Sequence, residues 1–134
     1  CRIIGSQVTL LNRLGCTDIQ FYGPKQLLDD NLSPSFSEIA DNCMEDRDIL
    51  YVIRVKHERL KANENIDMES FKSLYQINES FIKKTKFNGS IMHPGPINVD
   101  LEISNGLATS EKALISTQVE NGLYIRAALL SLIS

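Results

Sequence analysis

Two groups of residues in this 134-residue chain have the types and spacing to do chemistry. The first is Arg54, which ends the apolar run Ile49-Leu50-Tyr51-Val52-Ile53 and is followed closely by Lys56, His57, Glu58 and Arg59. A guanidinium is a planar fork that holds a carboxylate or a phosphate through two parallel hydrogen bonds. If the segment turns helical at once, Glu58 stands four residues on and can fix the orientation of the fork. A solvated charged turn is the alternative for the same residues. The second group is His93-Pro94-Gly95-Pro96. Two prolines around a glycine hold the backbone extended, remove two N–H donors and leave carbonyl oxygens able to accept from an amide NH2. A rigid strand-ending turn is the alternative there, and either Pro94 or Pro96 can be cis.

Other chemistries find no support. His57 and His93 lie in separate segments without the spacing of a metal pair, so no metal site is expected. The three cysteines, Cys1, Cys16 and Cys43, are odd in number and form no CxxC, which fits reduced thiols and a cytosolic compartment. No GxSxG elbow, Walker loop or GxGxxG fingerprint occurs, so neither a serine nucleophile nor a nucleotide cofactor is expected.

The elements that must position these groups follow from hydrophobic spacing. Ile3, Ile4, Val8, Leu10, Leu11 and Leu14 wrap one side of a helix that Gly15 stops. Ile19 to Tyr22 reads as a short buried strand closed by Gly23-Pro24. A helix capped by Ser35 or Ser37 then runs through Cys43, and Ile49 to Ile53 is the most strand-like block. A polar loop from Lys61 to Asp67 leads into one helical region from Met68 to Lys84. Ser90 to His93 is a third strand, and a last helix starts at Ser110-Glu111 and carries Val119, Leu123, Ile125, Leu130 and Leu132.

This alternation predicts an α/β fold, a three-layer αβα open parallel sheet of the Rossmann-like kind. Ligands on such sheets bind beyond the carboxyl ends of the strands, which selects Gly23-Pro24, Arg54 to Leu60 and His93 to Asn98. The rhythm opens on a helix where a strand is expected, and the chain begins Cys1-Arg2 without an initiator Met. Both observations predict a piece of a longer chain whose first central strand precedes Cys1.

Composition bounds the class. The length fits one domain, and 43% hydrophobic residues suffice for a core. Fourteen basic against seventeen acidic residues, a net charge of -3, argue against a nucleic-acid partner. No apolar stretch approaches the roughly 18 residues of a membrane helix, so no membrane partner is expected.

Taken together, Ile53-Arg54-Val55-Lys56-His57-Glu58-Arg59-Leu60, Met92-His93-Pro94-Gly95-Pro96-Ile97-Asn98 and the block from Gln118 to Ala127 resemble the catalytic chain of the aspartate carbamoyltransferase family, in order and separation. The opening Cys1 to Ser6 resembles the start of that family's corresponding helix. The resemblance implies an aspartate-binding domain over residues 1–134, incomplete at its N-terminus. The carbamoyl-phosphate domain of such an enzyme has no counterpart in the chain, so these residues alone would show little or no catalysis.

By resemblance, Arg2, Arg54 and Lys56 bind L-aspartate, Glu58 orients Arg54, and the carbonyls of Pro94 and Gly95 bind carbamoyl phosphate through its NH2. No catalytic residue is assigned within the chain. A homotrimer and a regulatory chain are the partners the family implies, and the reaction belongs to pyrimidine biosynthesis. Ornithine carbamoyltransferases carry His-Cys-Leu-Pro at the proline loop, which His93-Pro94-Gly95-Pro96 does not match.

Three positions depart from the family pattern. Lys56 stands where a glutamine is usual, Gly5 replaces a better helix former, and no arginine follows Pro96 within Ile97-Asn98-Val99-Asp100. A degenerate, non-catalytic binding or scaffolding subunit is the reading that such departures would favour.

Overall fold

The structure, a computed structural model, describes residues 2–16, 18–27, 36–37, 44, 46–56 and 67–134, with only the backbone of Arg2, Ile3 and Gln26. The expected helix ending at Cys43, the loop from Lys61 to Ile66, and His57 and Glu58 lie outside the described residues, apart from Phe36 and Ser37. The chain divides into two compact units, Cys1–Glu45 and Asp46–Ser134.

In the first unit, α1 spans Arg2–Arg13. Its end follows from Gly15, whose φ of 87° places it in the left-handed region that glycine enters without a Cβ penalty. The Cys16 amide then donates to the Leu11 carbonyl at 2.9 Å and the Gly15 amide to Asn12 at 3.1 Å, which satisfies carbonyls the helix leaves open. Strand β1 (Phe21–Tyr22) pairs in parallel with β2 (Phe36–Ser37), with Phe21 opposite Phe36. Ser37, expected as a helix cap, is therefore a strand residue. The β-favouring aromatic Phe36 pairs with a strand that precedes it, and local propensity for a cap gives way to that pairing.

The second unit is built around β3 (Ile49–Tyr51) and β4 (Ser90–Met92), parallel and in the register Ile49 to Ser90, Leu50 to Ile91 and Tyr51 to Met92. β4 is paired on both sides. The Ser90 amide donates to Asp48 at 2.8 Å on one edge, while Ile91 donates to Lys112 and accepts from Leu114 on the other, both at 2.8 Å. Ile91 is fully buried as a result. Ile91→Ala is expected to lower stability by about 3 kcal/mol, since it removes most of a fully buried side chain from the core; a chemical denaturation midpoint within error of the parent would contradict this.

The expected single helix from Met68 to Lys84 is two helices, α2 (Met68–Tyr75) and α3 (Glu79–Thr85). Asp67 caps the first through the Ser70 amide at 2.7 Å, and Asn78 caps the second through the Phe81 amide at 2.9 Å. The break between them is enforced by Ile77, whose amide donates to the Glu102 carbonyl and whose carbonyl accepts from Ser104. A residue pairing with an extended segment cannot also serve a helix.

After a short helix α4 (Asn105–Ala108), the last helix α5 covers Ile115–Ile133. It starts later than Ser110-Glu111 because Lys112 to Leu114 are already paired with β4. The core comprises Val52, Val55, Phe71, Ile77, Phe87, Ile91, Leu101, Ile103 and Leu107. α5 has no buried residue, and its Val119, Leu123, Ile125, Leu130 and Leu132 are all exposed. Among the described residues no helix is long and apolar enough to cross a membrane.

Candidate functional site

β3 and β4 run in parallel, so the segments following both leave the sheet on the same side, where side chains from distant stretches of chain can meet. Val52 extends the pairing by one bond, its amide donating to Met92 at 2.8 Å. Beyond it the chain is irregular through Lys56, with Val55 buried and both Arg54 and Lys56 exposed. Arg54 is thus delivered to the carboxyl end of β3, as its position after the apolar run predicts.

Beyond β4 comes His93, with no exposed surface, and then the proline loop. The Gly95–Pro96 bond is cis, and Gly95 has a φ of 61°. The Gly95 amide folds back to donate to His93 Nδ1 at 2.9 Å. That nitrogen therefore holds a lone pair, and the hydrogen is carried by Nε2, which donates to Glu102 Oε1 at 3.2 Å. Gln118 of α5 closes the same corner: its Oε1 accepts from the His93 amide at 3.1 Å and its Nε2 donates to the Tyr51 hydroxyl at 3.0 Å. Among the described residues nothing donates to the carbonyl of Pro94 or Gly95.

Glu102 is only 2% exposed. It also accepts from the Asn98 amide at 2.7 Å through Oε1 and from Asn98 Nδ2 at 3.0 Å through Oε2. Burial alone would push this carboxyl upward, but the hydrogen bonds from His93 and from both Asn98 donors outweigh it and hold the group below its ordinary value. Asn98 in turn donates to the Val55 carbonyl at 2.7 Å and accepts from Arg54 Nε at 3.2 Å. Arg54 and the proline loop, two separate candidates in the sequence, are thereby joined in one polar network.

The remaining candidates are placed more sparely. Lys56 is exposed, two residues beyond Arg54. Arg2 is the first residue of α1, in the other compact unit. Glu58, the expected orienter of Arg54, lies outside the described residues; the group that binds Arg54 Nε is Asn98. Sequence reasoning missed Asn98, Glu102 and Gln118. One signal was available: a carboxylate between Leu101 and Ile103 in an apolar stretch marks a charge that folding must bury with partners.

These features define a parallel α/β unit with a polar corner at the carboxyl ends of its strands. Residues 1–133 match the model of the family described as aspartate/ornithine carbamoyltransferase, Asp/Orn binding domain. The chain belongs to that family. It is 37% identical over 133 residues to the aspartate carbamoyltransferase catalytic subunit of Oenococcus oeni, covering 97% of this chain and 43% of that protein. It is 35% identical to the same subunit of Listeria monocytogenes, over 98% of this chain and 44% of that one. The chain thus spans less than half the length of these curated relatives.

Among solved structures, aspartate transcarbamoylase from Trypanosoma cruzi in complex with phosphate aligns with a TM-score of 0.54 and 25% identity, over 72% of this chain and 31% of that one. A mitochondrial ornithine carbamoyltransferase from Coccidioides immitis, at 21% identity and a TM-score of 0.50 over 65% of this chain and 25% of that chain, shares the fold.

Proposed function

We propose that the full-length protein is an aspartate carbamoyltransferase, and that residues 1–134 form most of its aspartate-binding domain, the carbamoyl-phosphate domain lying elsewhere in the longer chain. The α-amine of L-aspartate attacks the carbonyl carbon of carbamoyl phosphate. The C–N bond forms, the C–O bond to phosphate breaks, and the amine loses a proton, giving N-carbamoyl-L-aspartate and phosphate. The observation that carries this reading is the hydrogen-bonded path from Arg54 to the His93–Pro96 loop, in a chain whose curated relatives bear that name.

In this reading Arg54 takes one aspartate carboxylate, and Arg2 and Lys56 contribute to the rest of the aspartate site. The carbonyls of Pro94 and Gly95 accept from the carbamoyl NH2. An acceptor on a fixed loop suits that group, because NH2 is the part of carbamoyl phosphate that can only donate. Catalysis is by positioning two bound substrates and stabilising the charge that develops, with no covalent intermediate on the protein. The exposed apolar side chains of α5 support contact with a further body, such as the carbamoyl-phosphate domain, and a homotrimer is part of the same proposal. A cytoplasmic location and a regulatory chain belong to the same proposal.

The test is an assay of the full-length protein for carbamoyl aspartate, with Arg54→Ala beside it. Loss of a charge-assisted pair to substrate lowers kcat/KM by about a hundredfold, mainly through the KM for aspartate. Undiminished turnover in that variant would refute the role of Arg54. Failure of the full-length protein to bind a bisubstrate mimic would favour a non-catalytic subunit, the direction in which Lys56 points.

A further inference from the structure

Asn98 stands between the two substrate-facing groups, and its amide orientation is forced by its partners. A guanidinium Nε only donates, while a carbonyl and a carboxylate only accept. Oδ1 therefore faces Arg54, and Nδ2 faces the Val55 carbonyl at 2.7 Å and Glu102 Oε2 at 3.0 Å. Asn98 grips Arg54 twice, by its side chain and by the backbone carbonyl of the next residue. Glu102 holds Asn98 twice as well, by side chain and by main chain. The same carboxylate receives His93 Nε2, and the far side of that ring receives the Gly95 amide. The links converge on Glu102, with Arg54 and Asn98 donating toward it from one side and Gly95 and His93 from the other.

We propose that Asn98 is the positioning residue of this site, tying the Arg54 guanidinium through Glu102 and His93 to the Pro94–Gly95 loop so that the groups for both substrates are set together. The inference rests on the aspartate carbamoyltransferase reading. With Nε committed to Asn98, the two Nη groups remain as an end-on fork, the geometry that takes a carboxylate through two bonds. An exposed arginine otherwise samples many rotamers, and holding one of them removes an entropic cost from aspartate binding. The amide is required for this and a carboxylate would not serve. An aspartate of the same shape would turn an oxygen toward Glu102 and the Val55 carbonyl, and would compete with the substrate for Arg54.

The test uses the full-length protein with Asn98→Asp and Asn98→Ala, each alone and the second also combined with Arg54→Ala. Either single change is expected to raise the aspartate KM by about tenfold, the scale of one hydrogen bond to a charged group, with kcat changed less. The double variant is expected to bind aspartate no more weakly than Arg54→Ala, because Asn98 acts through Arg54. A merely structural role would instead add its effect to that of Arg54→Ala. An unchanged KM in both single variants, or additive losses in the double, overturns the proposal.

Absence of carbamoyl aspartate formation by the parent protein would overturn the enzymatic reading instead. The positioning role is then read from the Arg54 Nε–H resonance by NMR. Slow exchange in the parent and fast exchange in Asn98→Ala supports the tie, and equal exchange in the two overturns it. Asn98→Asp, which keeps the volume, provides the comparison should the alanine variant not fold.

Discussion

Gly89→Ala is expected to be among the most damaging single-methyl additions in the second unit. A Cβ at this position would overlap the carbonyl oxygen of Asp48 and lie 2.6 Å from that of Arg47. Both obstacles are backbone, so no side-chain rotation relieves them. The strands would have to part where the Ser90 amide donates to Asp48 at 2.8 Å, the first bond of the β3–β4 ladder. Overpacking against a wall that can relax costs about 1–3 kcal/mol, and one that cannot lies at or above the top of that range. Against a domain stability of about 5–15 kcal/mol, that is a large fraction. A urea midpoint for Gly89→Ala equal to that of the parent would show that the strands separate at no cost.

The second large effect concerns Glu102. Glu102→Leu would strand the buried Nε2–H of His93 and two donors of Asn98, and each unsatisfied buried donor costs about 1–3 kcal/mol. A loss of about 3 kcal/mol or more follows at neutral pH. Ionisation adds a pH dependence with a definite sign. The carboxyl is held below its ordinary value of 4.5 in the folded protein, so folding favours the ionised form. That contribution is fully present above 4.5, the value expected once unfolded, and is lost as the pH falls through the lower folded value. Glu102→Gln removes this titration. Its stability between pH 7 and pH 3 should therefore fall less steeply than the parent's. Parallel stability profiles for the two proteins would rule out Glu102 as a source of acid sensitivity.

The parts of the site that were legible in the sequence were those announced by their immediate neighbours. Arg54 ends an apolar run, and Pro94 and Pro96 flank Gly95, so the strand ends that carry them could be found locally. Asn98 and Glu102 are held by partners at Val55, Arg54 and His93; the apolar neighbours Leu101 and Ile103 mark Glu102 as buried, but nothing in a linear pattern names its partners or distinguishes Asn98 from an exposed polar residue of a loop. The alternation of strands and helices was likewise sufficient for the α/β class. The split at Gln76 to Asn78 was not read, although Asn78 before Glu79 is a helix-start signal. The late start of α5 could not be read at all, because Lys112 to Leu114 are extended only on account of β4. Pairings between distant segments determined each of these, and hydrophobic spacing reports only on near neighbours.

β4 is hemmed between segments far from it in sequence, residues 48 to 52 on one side and 112 to 114 on the other. During synthesis it therefore emerges with one edge unpaired and stays so until the chain has grown beyond Leu114. An apolar strand in that condition is open to pairing with another nascent copy. His93 follows it directly and its amide donates to Gln118, which lies beyond Leu114, so the polar corner gains its last partner only once that edge is closed.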